Sequence, residues 1–129
     1  EGAANERLCR FLAREFGERS GVEVHRELAP VKLRASAELM VYRLVQEAIT
    51  NISKYAKARQ VWISLASNDG RVQVSVRDDG FGLDPGTQPG SAYGLVGMRF
   101  RVEAEGGVWT LASIPGQGTR VQASLPESA

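Results

Sequence analysis

The chain has 129 residues and a mass of 14.0 kDa, which is the size of one domain that can bury a sizeable core. Its 16 Lys and Arg nearly balance its 15 Asp and Glu, and a net charge of +1 excludes the strong single-sign field of a typical nucleic-acid or membrane-surface binder. The single cysteine excludes an internal disulfide, and the single histidine leaves little for a zinc site. Because the chain lacks an initial methionine, we expect it to be one domain, residues 1–129, cut from a longer protein.

The hydrophobic pattern predicts three helices and five strands. The helices are expected at residues 5–19, 36–56 and 94–105, and the strands at 21–28, 61–66, 72–76, 108–113 and 118–125. Asn5 is a plausible N-cap of the first helix, and Ser67-Asn68-Asp69-Gly70 indicates a hairpin turn between the second and third strands. The order of these elements favours an α+β sandwich in which helices cover one face of a mixed sheet.

The second predicted helix carries a polar stripe along the border of its apolar face. At 100° per residue, Glu47, Asn51 and Lys54 fall within about 60° of one another, beside a broad arc of core positions. They could simply be edge residues that pair with each other along the helix. Alternatively, they converge on one ligand, because carboxylate and amide oxygens suit Mg²⁺ and an ammonium offsets phosphate charge.

Two glycine-containing motifs follow the strands. Asp78-Asp79-Gly80-Phe81-Gly82 ends an apolar strand, where a partly buried carboxylate would need a donor such as the exocyclic amine of a purine. Gly94-Leu95-Val96-Gly97 is predicted to open a helix, whose free N–H groups could hold a phosphate. Each motif alone is also compatible with an exposed turn or an ordinary loop-to-helix junction, and neither is a dinucleotide or Walker fingerprint.

The order of these motifs resembles the catalytic ATP-binding domain of bacterial sensor histidine kinases. Residues 45–56 resemble the N box of that family, 78–82 its G1 box, 94–98 its G2 region, and 116–120 the turn before its final strand. The pattern is most similar to the subfamily that pairs with response regulators of the NarL type, such as nitrate and hexose-phosphate sensors. That subfamily often has His where this chain has Tyr55, although Tyr is common there in the wider family.

The resemblance implies the Bergerat fold, with a mixed sheet of about five strands covered on one face by three helices. It implies that Asn51 coordinates Mg²⁺ and that Glu47 holds a metal-bound water or assists transfer. Lys54 would face the phosphates of ATP, Tyr55 would lie near the base, and Asp78 would accept from the adenine amine.

The resemblance also implies roles for the glycine-rich segments and the last turn. Gly80 and Gly82 would shape the floor of the base site, whereas Gly94, Leu95 and Gly97 would flank the phosphates. Thr119 would add a hydroxyl behind Asp78 or behind the water that bridges Asp78 to adenine. Residues 83–93 would form the ATP lid.

In such a kinase the γ-phosphoryl passes to a histidine on a separate dimerisation hairpin, and then to a response regulator. His25 lies in a predicted strand and is not expected to be that acceptor, so we expect the hairpin to lie upstream of this chain. We expect the chain to be cytoplasmic, mainly monomeric and without nucleic-acid partners. The alternatives are a serine kinase of the same fold that resembles anti-sigma factors, and a nucleotide-sensing module without transfer activity.

Overall fold

The computed structural model describes residues 4–53, 57–80, 89–114 and 116–128. The helices are α1 (Ala4–Ser20), α2 (Ala35–Asn51) and α3 (Pro89–Ala104). The strands are β1 (Glu23–Leu28), β2 (Gln60–Asn68), β3 (Arg71–Asp78), β4 (Val108–Ile114) and β5 (Gly118–Pro126). The predicted order of helices and strands is therefore confirmed.

The five strands form one sheet in the order β1-β2-β3-β5-β4. β1 runs parallel to β2, and the other three neighbouring pairs are antiparallel. A parallel pair needs a crossover connection, which here contains α2 and brings that helix onto the sheet. The mixed sheet and the helices confirm the predicted α+β sandwich.

The core lies between the helices and one face of the sheet. Along β2 and β3 every second residue is buried, as expected for strands with one covered face. The largest fully buried side chains come from the sheet, the second helix and the segment before it: Val31, Val41, Leu44, Val45, Val61, Ile63, Leu65, Val72, Val74, Val76 and Leu125. Each contributes roughly 1.5–3 kcal/mol relative to an exposed position.

The β2–β3 connection is the tight hairpin that the sequence predicts. Asp69 and Gly70 both have positive φ, 52° and 76°, and the flanking residues Asn68 and Arg71 are paired across the two strands. Two central residues with positive φ define the turn whose twist matches that of the strands, and an Asp-Gly pair tolerates it best.

The ends of the helices differ from the prediction. Asn5 lies inside α1, where its side-chain amide donates to the backbone oxygen of Glu38 in α2 at 3.1 Å, so it does not cap the helix. α2 is α-helical to Asn51 and continues through a π-helical turn at Ile52 and Ser53, whereas residues 54–56 lie outside the described residues.

α3 begins at Pro89, which is earlier than the predicted start at Gly94. Proline suits a first helical position because its φ is preset and its missing N–H would have had no partner there. Gly94 and Gly97 therefore lie inside the helix, and the prediction that they open it was wrong. Of the predicted lid, residues 89–93 are helical and 83–88 lie outside the described residues.

The beginning of α2 is fastened to the end of α3. The Arg34 guanidinium donates to the Glu105 carboxylate at 2.8 Å and to the Glu105 backbone oxygen at 3.1 Å. The Ser36 hydroxyl donates to the same carboxylate at 3.0 Å. This small network fixes the C-terminal end of α3 against the helix that carries Glu47 and Asn51.

Candidate functional site

Asp78, the last residue of β3, is a buried carboxylate with two backbone donors. It is 4% exposed and continues the inward-facing row of Val72, Val74 and Val76. Its Oδ1 accepts from the backbone N–H of Gly80 at 2.7 Å, and the backbone N–H of Thr119 lies close enough to lower the pKa of the same carboxyl group. These neutral donors, which are the ones that the described residues supply, satisfy only part of a carboxylate, which has about four acceptor positions.

The environment of Asp78 raises the pKa of its carboxyl group above the ordinary value. Burial is the largest cause and the neighbouring charge of Asp79 adds to it, whereas the hydrogen bonds from Gly80 and Thr119 act in the opposite direction. Burying a charge without full compensation is unfavourable. The site therefore holds an acceptor that a further hydrogen-bond donor would stabilise.

Asp79 is exposed and has a structural role. Its Oδ1 accepts from the backbone N–H groups of Arg59 and Gln60, both at 2.9 Å, and its own N–H donates to the Gln60 oxygen at 3.2 Å. Burial alone would raise the pKa of Asp79, but the hydrogen bonds from Gln60 and Arg59 and the charge of Arg59 lower it overall. Asp79 thus fastens the end of β3 to the start of β2.

Gly118 makes this arrangement sterically possible, and it was not among the predicted site residues. It is buried with a φ of +113°, and a Cβ there would lie 2.0 Å from the backbone oxygen of Asp78. Only glycine allows β5 to start so close to the end of β3. The signal in the sequence was the second glycine of the Gly116–Arg120 turn, directly before Thr119.

Thr119 contacts Asp78 through its backbone. Its hydroxyl shares a hydrogen bond with the hydroxyl of Ser113 at 3.2 Å. The backbone N–H of Thr119 lowers the pKa of the Asp78 carboxyl group, and the implied role of the Thr119 hydroxyl behind Asp78 or its bridging water stays a prediction.

Glu47 and Asn51 lie near the C-terminal end of α2, and both are half-buried. Within the described part of the chain, the Asn51 Nδ2 atom is buried without a hydrogen-bond partner, so it does not donate to the Glu47 carboxylate. The side chains of Glu47 and Asn51 therefore do not pair with each other, whereas the pairing with Lys54 that the alternative also includes lies outside the described residues. A buried polar atom without a partner is typical of a site that awaits a ligand or water.

The other predicted site residues are only partly described. Lys54, Tyr55 and Gly82 lie outside the described residues, and for Gly94 and Leu95 only the helical backbone is described. Gly97 is exposed, with open space where a Cβ would lie. Gly80 is buried beside Asp78. The structure therefore brings together Asp78, Gly80, Gly118 and Thr119, and separately Glu47 with Asn51.

Within residues 4–53, 57–80, 89–114 and 116–128, no helix combines the length and apolarity needed to cross a membrane. The same residues contain no group of three or more His, Cys, Asp or Glu side chains that could hold a metal ion by themselves. A magnesium ion that is held mainly by phosphates and water needs no such group. The single amide of Asn51 is compatible with that kind of site.

Comparison with known proteins identifies the family. Residues 36–129 match the family described as histidine kinase-, DNA gyrase B-, and HSP90-like ATPase. The chain is 37% identical over 121 residues to the signal transduction histidine-protein kinase/phosphatase UhpB of Salmonella typhimurium, covering 92% of this chain and 24% of that protein. It is 28% identical over 115 residues to the sensor histidine kinase LiaS of Bacillus subtilis, covering 89% of this chain and 32% of that protein.

A solved structure shows the same fold. The histidine kinase domain of the blue-light activated kinase from Erythrobacter litoralis EL346 superposes with a TM-score of 0.76 at 23% identity, covering 98% of this chain and 60% of that one. This chain spans about a quarter to a third of the curated relatives it matches. The resemblance to the ATP-binding domain of sensor histidine kinases is confirmed, and the chain belongs to the histidine kinase-, DNA gyrase B- and HSP90-like ATPases.

Proposed function

We propose that this domain binds ATP with Mg²⁺ and, in the intact protein, donates the γ-phosphoryl group to a histidine on a separate dimerisation hairpin. The phosphoryl group then passes to a response regulator. The observation that carries the proposal is Asp78, a buried carboxylate at a strand end in a member of this ATPase family, whose partners among the described residues leave acceptor positions open.

Asp78 recognises the adenine base in this proposal. The free acceptor positions of its carboxylate take the hydrogen bond from the exocyclic amine, while the N–H groups of Gly80 and Thr119 hold the carboxylate in place. A hydrogen bond to a charged acceptor is worth about 1.5–3 kcal/mol. Gly80 and Gly82 form the floor of the base site, since glycine lets a planar ring approach the backbone closely.

Residues at the C-terminal end of α2 bind the phosphates and the metal ion in this proposal. Bound Mg²⁺ supplies charge neutralisation on the β- and γ-phosphates. Asn51 is its protein ligand through the side-chain oxygen. The buried Nδ2 atom of Asn51, which has no partner among the described residues, donates to a phosphate oxygen or a water molecule. Glu47 orients a water molecule or assists the transfer, and Lys54 faces the phosphates. Gly94, Leu95 and Gly97 flank the phosphates from α3, and residues 83–93 cover the bound nucleotide.

His25 is not the phosphoryl acceptor in this proposal. It lies on β1, its Nε2 atom is 2.9 Å from Gln60 Oε1 and 3.2 Å from Glu23 Oε1, and its ring stacks on Trp62. An acceptor must present its free nitrogen to the γ-phosphate at near-attack distance, and here the nitrogen is already engaged. The acceptor therefore belongs to a dimerisation hairpin outside this chain.

The similarity to UhpB favours a sensor kinase over a serine kinase that resembles anti-sigma factors. It also favours a partner regulator of the NarL type. In this proposal the domain acts in the cytoplasm and is mainly monomeric by itself.

The decisive experiment is calorimetric titration of ATP, with and without Mg²⁺, into the domain and its Asp78→Asn variant. We expect the variant to bind ATP at least tenfold more weakly, because an amide presents a donor where adenine also donates. Asp69→Asn is the matched control, since this turn residue has a φ of 52° that Asn also tolerates. Unchanged affinity in a folded Asp78→Asn variant would refute the assignment of the base site.

A further inference from the structure

The second face of the sheet, opposite the helices, carries a row of side chains that the nucleotide site does not use. We call this surface the open face. The strand register places His25, Trp62, Arg77, Arg120 and Ala112 side by side across it, one from each strand. The buried residues of β2, β3 and β5 alternate with these positions and point the other way, towards the described helices.

Trp62 holds its two neighbours in this row. The His25 ring stacks on the indole with a centroid separation of 5.3 Å and an interplanar angle of 15°. The Arg77 guanidinium carbon lies 4.0 Å from the centroid of the same ring. A guanidinium stacked on an aromatic ring loses less conformational freedom when it binds an anion. Arg77 is therefore pre-organised, although it is exposed.

Arg77 and Arg120 are directly opposite each other on β3 and β5. Neither forms an ion pair with a carboxylate of the described residues, and like charges at such positions disfavour the sheet. A depression of about 500 Å³ beside them is also lined by the hydroxyl-bearing residues Ser64 and Ser75, with Glu27 on its β1 side. Hydroxyl and guanidinium groups all donate hydrogen bonds, which is the chemistry that receives carboxylates.

The surroundings of the arginine pair are asymmetric. On the β4 side of the open face, Ala112 lies opposite Arg120, and Ile114, two residues further along the strand, is 56% exposed. On the β1 side, Glu23 and Glu27 bring negative charge. Across the sheet the open face thus changes from apolar to cationic to acidic. A long polyanion such as a nucleic acid would meet the acidic edge, whereas a short acidic segment with an apolar end would not.

We propose that the open face is a docking surface for an acidic amphipathic helix of a partner protein. Residues three apart in a helix rise by about 4.5 Å, and neighbouring strands are about 4.8 Å apart. A helix laid across the strands therefore places side chains three or four residues apart, which share one face of the helix, over neighbouring strands. Its apolar residues contact Ala112 and Ile114, and its carboxylates bind Arg120 and Arg77. This docking site is independent of the nucleotide site on the other face.

The test uses a fluorescently labelled helical peptide of about 14 residues, long enough to cross the sheet, with leucines at one end of its contact stripe and glutamates at the other. Binding to the domain is followed by fluorescence anisotropy. We expect measurable binding, and about tenfold weaker binding for Arg77→Gln and for Arg120→Gln. Arg43→Gln removes the same charge from an exposed position on α2 and should leave the affinity unchanged.

ATP titration of Arg77→Gln and Arg120→Gln should match the unmodified domain, which separates this proposal from the nucleotide site. Failure of the peptide to bind the unmodified domain would overturn the proposal. So would equal weakening by Arg43→Gln, since the effect would then depend on net charge alone. Tighter, arginine-dependent binding of a single-stranded DNA of equal length would overturn the choice of a protein partner.

Discussion

Asp78 and Asp79 are neighbours in the sequence but have opposite electrostatic environments. Asp78 points inward among apolar strand residues, and burial raises the pKa of its carboxyl group. Asp79 points outward and accepts two backbone hydrogen bonds, and the pKa of its carboxyl group is lowered. Side chains alternate between the two faces of a sheet along a strand, which explains why adjacent aspartates have different surroundings.

We predict opposite pH profiles of stability for Asp78→Asn and Asp79→Asn. The folded-state pKa of Asp78 is raised, so its contribution to the free energy of unfolding falls as the pH rises through that value. Relative to the unmodified domain, Asp78→Asn should therefore have a higher free energy of unfolding at neutral pH than at acidic pH. The folded-state pKa of Asp79 is lowered, so its carboxylate stabilises the folded domain at pH values above its unfolded pKa. Asp79→Asn should therefore lower the free energy of unfolding at neutral pH.

Urea unfolding of both variants and the unmodified domain at acidic and neutral pH measures these differences. The two variants serve as controls for each other because they make the same chemical change at adjacent positions. A shift of both in the same direction with pH would contradict the assigned environments.

Gly118→Ala should be strongly destabilising. The new Cβ would lie 2.0 Å from the Asp78 oxygen, and the φ of +113° disfavours any side chain. We expect a loss of about 2–4 kcal/mol in the free energy of unfolding, together with weaker ATP binding. Gly116→Ala is the control: it has a φ of +82° but open space around its Cβ, so it carries only backbone strain, about 1–2 kcal/mol. Equal losses, measured by chemical denaturation, would argue against the steric contact.

At the scale of the elements, strands were easier to predict than helix ends. Their alternation of apolar and polar residues reflects a sheet with one covered face, and the Asp-Gly turn has a local conformational requirement. The start of α3 was missed because Gly94 and Gly97 suggested a helix start, whereas Pro89 began the helix earlier. Asn5 was misassigned because its partner, Glu38, lies in another helix and no local pattern shows such a contact.

Site residues that belong to one sequence motif could be predicted, whereas a contact between residues of two distant strands could not. Asp78 and Gly80 belong to one motif and lie together as expected. Gly118 acts by allowing two distant strands to approach, and this steric requirement is invisible without the register of β3 and β5.

We predict that ATP with Mg²⁺ slows hydrogen exchange in the N-terminal half of α3. This half contains Pro89, Gly90, Gly94 and Gly97, and glycine is a weak helix former, so nucleotide contacts should stabilise it. The C-terminal end is already fixed by Arg34 and Glu105. Amides of α1 provide the internal control, and mass spectrometry reads both regions. Unchanged exchange in α3 at saturating ATP would count against contact between the nucleotide and this helix.

At the scale of the whole molecule, the two faces of the sheet have different surroundings. The covered face holds Asp78 and the core, whereas the open face presents the arginine pair and His25. In the proposed function, ATP binds beside Asp78 on the covered face, so His25 on the open face lies on the other side of the sheet. This separation agrees with the proposal that the domain phosphorylates a separate acceptor.

We predict that the domain alone binds ATP but does not phosphorylate itself. His25 is engaged on β1 and faces away from the buried carboxylate of Asp78, because it lies on the open face. Incubation with γ-labelled ATP and a test of acid lability measure the outcome, and His25→Gln is the control variant. Acid-labile label that is retained by the unmodified domain and lost in His25→Gln would show that His25 is an acceptor after all.

The register of the sheet also has a consequence for folding kinetics. The β2–β3 and β4–β5 pairs are hairpins that close short loops, whereas β3 and β5 pair across the segment that contains α3. Closing a longer loop costs more chain entropy, so we expect this pairing to form late. Asp78 meets Thr119 only across that junction. ATP should therefore bind only the fully folded domain and stabilise it by mass action. We expect this stabilisation to be observed as slower unfolding in the presence of ATP.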